Sequence, residues 1–135
     1  MSVLVFLEVT DNQIKKSSLE ALVYAGKVSA SEGGQVLGLV AENPTNLSEA
    51  GKYGAATILQ ITDNRFTSPD AQAFAEALAA AAKENTCSVV VLAKSALSDS
   101  VTPKLAFMLD GTAATNVVSL PDTSKGFEEI GRAHV

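Results

Sequence analysis

The sequence has one cysteine, one histidine and no tryptophan, and each shortage removes a class of chemistry. A lone thiol, Cys87, cannot form an internal disulfide, which points to a reducing compartment and a cytoplasmic protein. Cys87 opens the apolar run Val89–Ala93, the setting of a core thiol rather than of a nucleophile. The histidine is His134, next to the last residue, so a His-dependent triad or zinc site has no framework residue to build on. Glycine is missing where nucleotide chemistry needs it. No G-x-G-x-x-G follows the first apolar run, where Glu8-Val9-Thr10-Asp11 stands, and no phosphate loop or G-x-S-x-G elbow occurs anywhere. Basic charge is in deficit, 10 Lys and Arg against 15 Asp and Glu, and Lys15-Lys16 is the only basic pair. A net charge of −5 leaves no footprint for nucleic acid or an anionic membrane. Long apolar runs are absent too: the first, Val3–Leu7, meets Glu8 and is far short of the roughly 20 residues that cross a bilayer. No signal peptide or membrane insertion is expected.

What is present fits one globular domain: 135 residues, 47% apolar and 19% charged. Five short apolar runs recur, Val3–Leu7, Val36–Val40, Thr57–Ile61, Ser88–Ala93 and Thr115–Leu120. Each lacks polar alternation, the mark of a strand buried on both faces. Helical stretches separate them. Ser17 and Glu20 have capping-box spacing, Leu19, Leu22, Val23, Gly26 and Ala30 share a face, and Gly33-Gly34 ends that helix. Asn46 or Ser48 caps a short second helix that Gly51 or Gly54 stops. Ser68-Pro69 opens a third, in which Ala71, Phe74, Ala75, Leu78, Ala79 and Ala82 form the buried stripe. Because proline is tolerated in a first turn, Pro103 puts the fourth helix's cap at Ser100 or Thr102, with Leu105, Met108 and Leu109 inward. Alternating strand and helix with right-handed crossovers gives an α/β fold, a doubly wound parallel sheet in a three-layer α/β/α sandwich, strand order 3-2-1-4-5.

Ligands of such sheets sit at the switch point, above the carboxyl ends of strands 1 and 4. Here those ends lead into Val9–Lys16 and Lys94–Thr102. Ser95, Ser98 and Ser100 could offer hydroxyls and helix N–H groups to a phosphate, but the loop has no glycine, and helix capping is the more ordinary use of such serines. Glu8, Asp11, Asp63, Ser95 and Lys125 imitate a phosphate-accepting receiver site in outline. The two acids that would hold its cation are three residues apart, and Lys125 lies beyond Pro121, so solvated turn acids are the better reading. No catalytic or metal-ligating residue is expected.

Three segments resemble the alpha subunits of electron-transfer flavoproteins. They are Val3-Leu4-Val5-Phe6-Leu7-Glu8 with Ile14-Lys15-Lys16-Ser17-Ser18-Leu19-Glu20-Ala21-Leu22; Lys52-Tyr53-Gly54-Ala55; and Leu92–Leu97 with Thr102–Ala106 and Ala114–Val117. The family usually reads G-[RK]-[DN] after strand 4, where this chain has Ser98-Asp99-Ser100. The resemblance implies an adenine-nucleotide-hydrolase-like fold and a non-catalytic scaffold domain at residues 1–122, followed by a divergent tail or cloning remnant at 123–135. It implies a beta-subunit partner that holds AMP. It also implies FAD bound mainly by the alpha subunit's C-terminal domain, none expected on this chain alone, and a heterodimer that carries electrons from flavoprotein dehydrogenases to a respiratory acceptor. A sheet cut short after strand 5 would expose an edge and favour self-association. The alternative is a free-standing adenine-nucleotide-binding domain using Ser95, Ser98 and Ser100.

Overall fold

The computed structural model describes residues 2–62, 70–110 and 115–121. In chain order the elements are β1 (Ser2–Leu7), β2 (Val9–Thr10), β3 (Gln13–Ile14), α1 (Lys16–Glu32), β4 (Val36–Ala41), α2 (Glu49–Lys52), β5 (Thr57–Ile61), α3 (Ala71–Glu84), β6 (Cys87–Ala93), α4 (Ala96–Leu109) and β7 (Asn116–Leu120). The main sheet is parallel with order β5-β4-β1-β6-β7. With the β2-β3 hairpin set aside, this is the expected order 3-2-1-4-5.

The central apolar runs form strands because helices cover both faces of the sheet there. Strand β5, expected to be buried on both faces, has no fully buried residue because it lies at the sheet's edge among the described residues. Every residue of β4 and β6 is buried, as is β1 from Val3 onward. Their side chains alternate between two cores. Val3, Val5, Leu7, Val40 and Val91 face α1 and α2. Leu4, Phe6, Leu39, Val90 and Leu92 face α3 and α4. Gly38 in β4 is small for a steric reason: a Cβ there would lie 2.7 Å from Leu7 Cδ1 and 3.2 Å from Ile58 Cδ1. The strands on either side lean over it. Among the described residues no helix is long and apolar enough to cross a membrane.

Three helix starts differ from expectation. The cap of α1 is Lys15, without a side-chain bond, so Ser17 and Glu20 lie inside the helix and form no capping box. Two backbone N–H groups, of Ser18 and Leu19, instead donate to the Lys15 carbonyl at 3.0 and 3.1 Å. The buried row of α1 is Leu19, Ala21, Leu22, Ala25 and Ser29, while Val23 is 45% exposed. Gly26 and Ala30 fall outside that row. The small side chains that let α1 approach the sheet are therefore Ala21, Ala25 and Ser29. The C-terminal expectation held: Gly33 caps α1 in the left-handed region, φ 71°. Helix α3 begins at Ala71, its cap being Asp70, whose Oδ1 accepts from Ala73 N at 3.1 Å. Ser68 and Pro69 lie outside the described residues. Its stripe from Phe74 to Ala82 is buried as expected.

Helix α4 starts earliest relative to expectation. Its cap is Ser95, not Ser100 or Thr102, and Pro103 sits in mid-helix. Ser95 Oγ accepts from Ser98 N at 3.0 Å and Ser98 Oγ accepts from Ser95 N at 2.8 Å, a reciprocal capping box. That box, with Val101 and Leu105 fully buried against the sheet, outweighs the proline.

Cys87 is buried, and burial pushes its thiol above its ordinary range. A raised folded-state value favours the neutral thiol in the native protein. Its stabilising contribution is full below the ordinary thiol pKa and is lost as pH rises through the native value. A thiol reagent at pH 8 should therefore leave the native protein unlabelled and modify one thiol per chain in denaturant. Rapid native-state labelling would contradict the core assignment.

Candidate functional site

The carboxyl ends of β1 and β6 meet at the centre of the sheet, where the switch point was expected. Two short segments form it, and each folds back on itself. After β1 the chain makes the tight β2-β3 hairpin, with Val9 paired to Ile14 and Thr10 to Gln13. Its two turn residues, Asp11 and Asn12, both have positive φ, 52° and 63°. This is the paired left-handed geometry of a two-residue hairpin, which Asp and Asn tolerate best after glycine. The hairpin returns the chain to its start: Lys15 N donates to the Glu8 carbonyl at 2.8 Å.

Asn46 ties that hairpin to the far side. Its Oδ1 accepts from Ile14 N at 2.7 Å and its Nδ2 donates to Ile14 O at 3.2 Å. One side chain thus satisfies both backbone groups of a residue that is 3% exposed. Of the two expected caps for α2, Asn46 and Ser48, the structure uses Ser48, without a side-chain bond. Because Ile14's groups are partly buried, removing their partner leaves them unmatched, at about 1–3 kcal/mol. We expect Asn46→Ala to lose roughly 2 kcal/mol in denaturant titration and to speed amide exchange across residues 9–15. An unchanged midpoint would refute this role.

Glu8 is the hub. Its backbone N–H donates to Ser18 Oγ at 3.0 Å. Lys15 Nζ stands 3.4 Å from Glu8 Oε2, and Ser95 Oγ donates to Glu8 Oε1 at 2.5 Å, bridging the loops after β1 and β6. Ser95 and Ser98 are thus brought together and spent on each other and on Glu8. Ser100 is on the exposed outer side of α4, beside Pro103 and Phe107, and does not join them. Lys94 Nζ holds Asp99 through both oxygens, at 3.1 and 3.2 Å. Two lysines thus face two carboxylates, with no local surplus of positive charge for an anion. Thr102 Oγ1 is buried without a hydrogen-bond partner among the described residues. Of the receiver-like set, Glu8 and Ser95 meet; Asp63 and Lys125 lie outside the described residues, as does His134. Among the described residues no cluster of His, Cys, Asp or Glu could hold a metal ion.

Sequence reading missed the Glu8–Ser95 bond, since 87 residues separate the partners. The strand order itself was the available signal, because it places the ends of strands 1 and 4 side by side. A concavity of about 320 Å³ runs beside α1. It is lined by Ser17, Tyr24, Lys27, Tyr53, Leu120 and Pro121 among others.

A model of the electron transfer flavoprotein domain matches residues 3–131. The chain belongs to that family. The match bears out the resemblance read from the Val3–Leu22 and Leu92–Val117 segments. No curated protein matches the chain. Among solved structures, this electron transfer flavoprotein domain is similar to a universal stress protein in complex with cAMP. Identity there is 22%, the match covers 89% of this chain and 95% of that one, and the TM-score is 0.56. It is similar also to a universal stress protein from Archaeoglobus fulgidus, at 15% identity, 88% and 92% coverage and TM-score 0.60. A universal stress family protein from Burkholderia pseudomallei matches at 16% identity, 90% and 96% coverage and TM-score 0.53. At these identities the likeness is one of fold, the adenine-nucleotide-hydrolase-like α/β/α sandwich. The family gives the domain an electron-transfer flavoprotein context.

Proposed function

We propose that this domain is the non-catalytic N-terminal scaffold of an electron-transfer flavoprotein alpha subunit, working in the cytoplasm beside a beta subunit. In this reading FAD is held mainly by a C-terminal domain of the alpha subunit and AMP by the beta subunit. The heterodimer then passes electrons from flavoprotein dehydrogenases to a respiratory acceptor. The observation that carries the reading is the Glu8–Ser95 bond. The switch point between β1 and β6, the general ligand position of such sheets, is spanned by a carboxylate, and the Ser95 and Ser98 hydroxyls there are committed to it and to each other. A phosphate brought there would meet a like charge in a partly desolvated site, which costs several-fold in affinity at the least.

The alternative, an adenine-nucleotide-binding domain, draws support from the stress protein whose structure holds cAMP on the same fold. It requires Ser95 to leave Glu8. Calorimetric titration separates the two. The scaffold reading expects no heat with AMP or ATP, and no flavin absorbance co-eluting with the protein after incubation with excess FAD. Micromolar binding of AMP, weakened by Ser95→Ala, would establish the alternative instead.

A further inference from the structure

We draw no further inference here: the strongest candidate, the concavity beside α1 lined by Tyr24, Tyr53, Leu120 and Pro121, is an unpartnered face, and nothing in the structure shows what covers it.

Discussion

Phe6→Ala should cost about 3–5 kcal/mol, the largest loss expected from a single truncation among the described residues. Phe6 lies on the central strand β1, is 2% exposed, and points into the core beneath α3 and α4. Its ring packs against Phe74 of α3 at a centroid separation of 5.1 Å and an interplanar angle of 54°. A tilted pair of this kind contributes roughly 0.5–1.5 kcal/mol beyond the area it buries. The remainder comes from transfer of the ring out of water and from a cavity that a five-stranded sheet cannot close by shifting. A domain of this size has only about 5–15 kcal/mol in reserve, so the variant should melt roughly 10–20 °C lower. Phe6→Leu keeps most of the volume and should lose no more than about 1.5 kcal/mol. In a double-mutant cycle, Phe6→Ala and Phe74→Ala should be less than additive because they share one contact. Full additivity, or a Phe6→Ala midpoint within 1 kcal/mol of wild type, would refute this account of the core.

The sheet was readable because burial on both faces writes itself as unbroken apolar runs. Val3–Leu7 and Val36–Val40 can be little else in a chain of this length. Crossover handedness narrowed the strand order to the doubly wound arrangements, and the switch point followed from the order chosen among them. The helix starts were harder, because capping rules compete. Ser17-x-x-Glu20 has the spacing of a box, yet the hairpin's return to Glu8 starts α1 at Lys16, before the serine can cap. The hairpin itself was hidden by its two-residue strands, which carry no periodicity to detect. Its only local trace was Asp11-Asn12, an adjacent pair of the residues that best accept positive φ after glycine. Glu8's engagement with Ser95 was not local at all. What the sequence supplied there was a negative: no glycine in either loop, hence no easy path for a phosphate to the backbone.

Pro103→Ala should stabilise the protein, by about 2 kcal/mol. In the interior of a helix proline is roughly 3 kcal/mol worse than alanine, since its ring crowds the carbonyl four residues back and it has no N–H to donate. Here that carbonyl belongs to Asp99, and α4 runs from Ala96 through Leu109 without a break. Proline also restrains the unfolded chain, which offsets about 0.4–1 kcal/mol of the gain. The helix tolerates the defect because starting later would forfeit more. A start at Thr102 would release the Ser95–Ser98 capping box, worth about 1 kcal/mol, and uncover Val101, whose burial is worth roughly 1.5–3 kcal/mol. Pro103 lies toward the outer groove beside Phe107, a side chain 83% exposed, so losing its ring uncovers little. The alanine variant should unfold at higher denaturant, melt roughly 5–10 °C above wild type and show slightly more helical ellipticity. A variant no more stable than wild type would mean that α4 has adapted its geometry to the proline. In that case the proline, rather than the Ser95 cap, sets how α4 lies on β6 and β7.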